Sequence, residues 1–330
     1  MLVGEVDASC LPEYHQAYSL RVPHSTPLLW HYSQDNNHLV YPFLLSAVTV
    51  DGVTTGFHDI SSVYGYTGPL SNTTTPSFLS GAWKAFDEYA AKQRIIAEFI
   101  RFSPFNRNEK IAHPQVLVLA NRELAASRLP ATEEQFLASL NPKTRNMLRK
   151  ATRAGLCAKE LDLPAHLPEF RALYAETMSR NGAPEFFLYD DDYWAHMLAL
   201  TPQHMRLFGT LVEGQLVAAS ISITHGSSGL YHLGASLVEY AKLGAGNLCL
   251  YAMSCGLLAD GVVFLNMTGG RTINADDPLL LFKRSNSNDL VTFHIGKRII
   301  DTPAYNALAC TWQQLHGKLP EPGKIIFWRN

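Results

Sequence analysis

A glycine-rich turn, Lys242-Leu243-Gly244-Ala245-Gly246-Asn247, stands between a strand-like run and a helix-like one. Small residues there let backbone amides face an anion, and a helix N-terminus favours negative charge, so a phosphate group fits; a plain loop-to-helix turn has the same pattern. Arg145, Arg149 and Arg153 recur at helical spacing with Lys150 beside them. One helix face thereby gathers cations that can hold an acceptor's phosphate or a tRNA backbone, or can simply face water.

Proton-transfer candidates are scattered. Tyr231 and His232 are neighbours on a strand, whose alternation aims them at opposite faces. His232 titrates near ~6.5 when unperturbed and can accept a proton, although hydrogen-bonded core histidines are common. Asp276 and Asp277 precede Pro278: Asp276 is the better placed helix cap, and either can instead act as a base. Thr268-Gly269-Gly270-Arg271 closes a buried strand, where α/β sheets meet their ligands, which marks Gly269, Gly270 and Arg271 as substrate contacts. Tyr64 and Tyr66 lie in a glycine-rich loop, where their rings can stack on a sugar or peptide or pack the loop down. Lys283, read from spacing alone, is a lysine at a helix end, where its charge complements the dipole.

The elements that must position these residues alternate between strand and helix. His38–Val50 is rich in aromatic and β-branched residues and reads as a strand. A long polar and aromatic loop follows, then a helix over FLSGAWKAFDEYAAKQ and strands at Arg94–Phe102 and Gln115–Ala120. Thr132-Glu133-Glu134-Gln135 has the form of a capping box opening a helix toward Gly155, with Pro142 interrupting it. Two more helices, HLPEFRALYAETMSRNG and DDDYWAHMLALT, precede three strand-like runs between Met205 and Ser236, separated by hairpin signals. A helix from about Gly246 to Asp260, a strand VVFLNM, an Asp-Asp-Pro-capped helix and a strand LVTFHIGKRII complete the series. One more helix follows Pro303. The pattern is α/β, with one lobe over residues 1–131 and a second over 132–302.

Composition sets bounds. With 47% hydrophobic and 17% charged residues, the chain can bury two cores. A formal charge of -2 argues against a generally basic DNA binder. The opening MLVGEVDASCLPEYHQ lacks a secretory pattern, and no apolar run reaches the ~20 residues of a membrane helix, so a cytoplasmic protein without membrane insertion is expected. Five cysteines without C-x-x-C spacing suit reduced thiols better than disulfides or a metal site. There is no G-x-S-x-G elbow and no H-E-x-x-H motif, which disfavours hydrolase readings.

The second half also resembles a known family. PKTRNMLRKATRAGL (Pro142–Leu156) resembles the basic helix of the Fem-type peptidyltransferases and the FemAB-like acetyltransferases of the GNAT superfamily. VEGQLVAASISI, YHLGASLVEYAKLGAGNLCLYAM, LNMTGG and DDPLLLFKRS follow in the same order as the family's paired strands, strand-loop-helix, strand end and Phe-Lys turn. In the first 130 residues only Tyr-Pro-Phe and the Tyr64-Gly-Tyr66-x-Gly-Pro loop match.

The resemblance implies two GNAT-like lobes of mixed sheets flanked by helices, with the ligand cleft between them and the C-terminal residues 303–330 returning to the first lobe. The first lobe is expected to keep the fold without a donor site. Lys283 after Phe282 would hold the donor and stabilise the developing oxyanion. The turn carrying Lys242, Gly244, Gly246 and Asn247 would meet a coenzyme A pyrophosphate, although Ala241 stands where such loops usually have Gln or Arg. Tyr64, Tyr66, Arg145, Arg149, Tyr231, Gly269, Gly270 and Arg271 would contact substrate.

The expected activity is N-acyl transfer from an activated donor to an amine of an amino sugar or cell-envelope precursor. Acyl-CoA is slightly favoured as donor co-substrate, without a tightly bound cofactor. Aminoacyl-tRNA is the alternative donor, making a charged tRNA a partner; a non-catalytic binding module on the same fold is the third reading.

Overall fold

The computed structural model describes residues 6–329. Met1–Glu5, part of the segment read as lacking a secretory pattern, and Asn330 lie outside the described residues. The chain divides into two compact units, residues 1–121 with 293–330 and residues 122–292. The expected division at 131/132 and 302/303 followed Pro130 and Pro303. The observed one instead falls within two strands, Leu117–Arg128 and Asp289–Ile299, which carry the chain from one unit to the other.

In the first unit, α1 (Pro12–Ser19) precedes strands β1 (Ser25–Gln34), β2 (Asn37–Val50) and β3 (Val53–Ser61) and the two-residue β4 (Leu70–Ser71). Helix α2 (Pro76–Lys92) and β5 (Ile95–Arg101) follow. The loop expected after Val50 therefore begins with a strand, β3, and is loop from Ser62 on apart from the short β4. Asp51 and Gly52 both take positive φ, which suits a tight hairpin, and β2 and β3 pair across it. Threonines and a buried Asp59 made VTTGFHDIS look like loop. Strand order is β1-β2-β3-β5, with the later strand Asp289–Ile299 beyond β5; β3 and β5 run parallel. Helix α2 buries Phe78, Ala82, Trp83, Phe86 and Ala90, one helical stripe, in an aromatic core with Tyr41 and Phe43 of β2.

The second unit opens with β6 (Leu117–Arg128), which reaches well past the strand expected at Gln115–Ala120. The Thr132 hydroxyl accepts from the Gln135 amide and starts α3 (Glu133–Ser139). Pro142 interrupts the helical run as expected: α3 ends at Ser139 and a new helix begins here. It stands at the first turn of α4 (Pro142–Arg153), capped by Asn141, where its missing N–H costs nothing. Then come β7 (Cys157–Leu161), α5 (Leu163–Arg180), α6 (Asp191–Leu198), β8 (Met205–Val212), β9 (Gln215–His225) and β10 (Ser228–Ser236). Helix α7 (Ala245–Ala259), β11 (Phe264–Thr268), α8 (Pro278–Ser285) and β12 (Asp289–Ile299) follow, and α9 (Thr302–His316) belongs to the first unit.

The order in this sheet is β6-β11-β10-β9-β8-β7, antiparallel except for the parallel pair β10 and β11. One face packs α7 and α4 through Leu148, Ala151, Cys249, Leu250, Met253, Leu257 and Leu265. Helix α5 packs against β9 and β10. All five cysteines are free thiols.

Candidate functional site

Strands β10 and β11 pair only from Ser228↔Phe264 to Leu230↔Asn266, and β10 then continues to Ser236 without a β11 partner. Two parallel strands that part in this way open a crevice at their C-terminal ends, where α/β sheets meet ligands. Lys283 of α8 reaches this place. Its side chain is 5% exposed; Nζ donates to Thr268 Oγ1 at 2.5 Å and to the Gly269 carbonyl at 2.9 Å, and lies 5.1 Å from the centre of the Tyr231 ring. Burial drives its pKa down to about 7, against the opposing pull of the Asp277 carboxylate. Near neutral pH this lysine therefore exchanges readily between ammonium and amine.

The loop from β11 to α8 is tied by Asp277, not Asp276. Asp277 Oδ1 accepts from the amides of Leu279 and Leu280, and Oδ2 from the amide and hydroxyl of Thr272. Burial acts to raise this carboxyl, but hydrogen bonds led by the Thr272 and Leu280 amides outweigh it and bring the pKa to about 2. Asp277 is a fixed anion that caps α8. Asp276, expected as cap or base, is exposed beside it: Pro278 stands at the first turn, so the residue immediately before it takes the cap. Gly270 runs so close to the Asp277 carboxylate that a Cβ there would collide with it, and Arg271 adds its backbone amide to the same carboxylate.

Helix α7 begins at Gly244, whose φ of +87° suits glycine. No side chain caps it, so its first-turn amides keep the positive end of the dipole. Phe282 packs on this turn: a Cβ built at Gly246 would stand 3.2 Å from its ring. Asn247 Nδ2 donates to Asn286 Oδ1 at 2.9 Å, and Asn286 Nδ2 donates to the Phe282 carbonyl at 2.8 Å. The α7 N-terminus and the Phe282-Lys283 turn are thus stitched together. Lys242 is exposed, and its carbonyl accepts from Lys150 Nζ at 2.7 Å, so two cations border the helix start.

The arginines of α4 do not converge on one ligand position. Arg145 Nη1 donates to the carbonyls of Ala138 and Leu140 and caps the end of α3, while Arg149 Nη1 donates to Asn146 within the helix. Helical spacing put them on one face but could not show these local acceptors.

Tyr231 packs toward the α7 core and Lys283, whereas His232 Nε2 is 2.8 Å from the Tyr193 hydroxyl of α6. A bulge at His232 interrupts the pairing with β9. Burial lowers the His232 pKa to about 3. An imidazole lowered in this way is neutral near pH 7. Tyr64 and Tyr66 belong to the first unit. Tyr66 is buried against Phe293, and the Arg101 guanidinium lies 5.5 Å from the centre of its ring and 5.2 Å from that of Tyr64, which is 45% exposed. Of the residues singled out, the structure thus brings together Lys283, Tyr231 and Gly269, and beside them Phe282, Gly246 and Asn247. His232, Arg145, Arg149, Tyr64 and Tyr66 are engaged elsewhere. Thr268 and Asn286 join the group; Asn286 follows Phe282 by one helical turn, but nothing in its residue type marks it. Among the described residues no cluster of three or more His, Cys, Asp or Glu side chains could hold a metal ion.

Residues 142–276 match the acetyltransferase (GNAT) domain family. The fold is that of FemX, whose crystal structure superposes with a TM-score of 0.74 at 14% identity, over 92% of this chain and 94% of that one. The C-terminal domain of a putative lysylphosphatidylglycerol synthetase from Agrobacterium fabrum gives 0.57 at 16% identity, over 91% of each chain. L-PGS from Bacillus licheniformis gives 0.55 at 12% identity, over 95% of this chain and 98% of that one. No curated protein matches. The match places a GNAT-type acetyltransferase domain at residues 142–276, within a chain whose fold is that of FemX.

Proposed function

We propose that the protein transfers an acyl group from acyl-CoA to the amine of an amino sugar or cell-envelope precursor. The observation that carries this reading is the buried Lys283 held where β10 and β11 part. In the reaction a neutral amine attacks the thioester carbonyl and the C–N bond forms. The C–S bond then breaks, and the thiolate leaves with its electron pair. The amine loses one proton overall and the departing thiolate gains one. Charge develops on the carbonyl oxygen between these events, and a lysine ammonium at that point is the electrostatic aid such a step needs.

Support for coenzyme A comes from the uncapped α7 N-terminus, with Lys150 and Lys242 beside it, which offers amides and positive charge to a pyrophosphate. A second reading has its own observation. Phe282 packs on Gly246 and covers part of that first turn, which favours a donor without a pyrophosphate, an aminoacyl-tRNA ester. In that case the bond broken is C–O, and the tRNA ribose hydroxyl leaves.

The two donors separate in a binding experiment with the purified protein. Coenzyme A and a mixed aminoacyl-tRNA pool are titrated in parallel at two salt concentrations. Micromolar coenzyme A binding with little salt dependence is expected. Retention of one charged tRNA without coenzyme A binding would replace this reading by the second, and binding of neither would overturn both.

A further inference from the structure

Thr268, the last residue of β11, takes φ +64°. For a β-branched residue the left-handed region is a genuine outlier, because Cβ crowds the backbone. Two bonds hold it there: its amide donates to Asn266 Oδ1 at 2.8 Å, and its hydroxyl accepts from Lys283 Nζ at 2.5 Å. Asn266 is fully buried, and its Nδ2 has no acceptor among the described residues. A strained backbone and a buried unsatisfied donor, each costly alone, therefore meet at one strand end. Such costs persist where the conformation itself is used.

The use follows from the hydrogen-bond inventory. A lysine ammonium has three N–H groups. Here one goes to Thr268 Oγ1, one to the Gly269 carbonyl, and the Tyr231 ring stands on a further side. A threonine hydroxyl that accepts from an ammonium still has its own proton to give, and that O–H is a stronger donor for the polarisation. Thr268 is half-buried, and no residue described here accepts its proton. Its side chain is thus the group through which the charge of Lys283 can reach a ligand in the crevice.

We infer that the Thr268 hydroxyl is the catalytic group that touches the reacting carbonyl oxygen, donating a hydrogen bond to the developing oxyanion, with Lys283 acting through it as a positioning residue. No proton changes owner in this contact. The inference deepens the acyltransferase reading and rests on it for the identity of the carbonyl.

Three variants test it: Thr268→Ser keeps the hydroxyl, Thr268→Val removes it while keeping the shape, and Thr268→Gly relieves the strained φ. Acetyl-CoA cleavage with glucosamine as the probe acceptor gives turnover. Competitive labelling of Lys283 by acetic anhydride across pH, read by mass spectrometry, and thermal melting need no turnover. Thr268→Ser is expected to keep turnover within about threefold, and Thr268→Val to lose ~10²–10³-fold, as when an oxyanion donor is removed. In Thr268→Val the Lys283 labelling profile should move to lower pH, because the ammonium loses an acceptor. Thr268→Gly relieves the strained φ but removes the same acceptor, so it should lose turnover as Thr268→Val does and melt above Thr268→Val, which keeps the strain. Full turnover in Thr268→Val would overturn the catalytic role. If the wild type cleaves neither acetyl-CoA nor an aminoacyl ester, the acyltransferase reading falls; the labelling result still decides on Thr268, and an unshifted profile in Thr268→Val would refute its coupling to Lys283.

Discussion

At the scale of single residues, the site turns on a lysine placed where its charge is least comfortable. Burial brings Lys283 to a pKa of about 7 from an ordinary value of 10.5. Between these values the unfolded chain holds a proton that the folded chain has released, so stability rises with pH from about 7 toward 10.5. Below pH 7 both states are protonated and the full penalty of burying the charge remains. Lys283→Met removes this dependence. Denaturant melts of the two proteins should therefore draw closer as the pH rises from 7 to 10, by ~1.4 kcal/mol for each pKa unit at most. Parallel pH curves would mean that Lys283 is not desolvated in the native protein. The residue types that do this were visible in the sequence, since Phe282-Lys283 stood out through its resemblance to the Fem family. Thr268 was named only as the first residue of the motif that closes this strand, because a strained φ on a β-branched residue leaves no trace in composition or spacing. The contact of His232 with the Tyr193 hydroxyl was likewise invisible, because it joins two elements far apart in sequence.

At the scale of elements, the site is set by the seam between α7 and α8. Gly246 lets Phe282 lie on the first turn of α7, and the Asn247–Asn286 bond fixes the register. Gly246→Val would push the ring away and tilt the turn that aims Lys283. Overpacking of this kind costs ~1–3 kcal/mol. We expect a lower unfolding midpoint and at least ~10-fold weaker coenzyme A binding, measured by denaturant titration and calorimetry; a variant that changes neither would show that the seam does not set the site. The helices and strands around this seam were largely legible, because α2, α4, α5 and α7 carry apolar stripes or caps and β9 and β10 flank hairpin signals. What escaped was α1 and the strands β1, β3, β4 and β7. These strands are short or mix exposed and polar positions, so neither alternation nor an apolar run announces them. The parting of β10 from β11 is likewise a matter of register, which no local pattern encodes.

At the scale of the whole molecule, both units contain a strand, a helix and a parallel strand, β3-α2-β5 in one and β10-α7-β11 in the other. They differ where the parallel strands end. In the first unit the pair stays closed: the Ser62 hydroxyl accepts from the Arg101 amide at 3.0 Å and from the Thr67 hydroxyl at 2.8 Å, and Thr67 bridges to Phe102. In the second unit the pair opens around Lys283. The first unit uses its buried polar groups differently. Burial raises the Glu98 pKa to about 7, with Arg298 across the β5–β12 pair opposing and Asp87 adding to the rise. The most direct test of the account is the turnover of Lys283→Met with acetyl-CoA and glucosamine, set beside its coenzyme A affinity. The account predicts turnover lower by ~10²–10³-fold with affinity nearly unchanged, the mark of an interaction made only in the transition state. Unchanged turnover would contradict it.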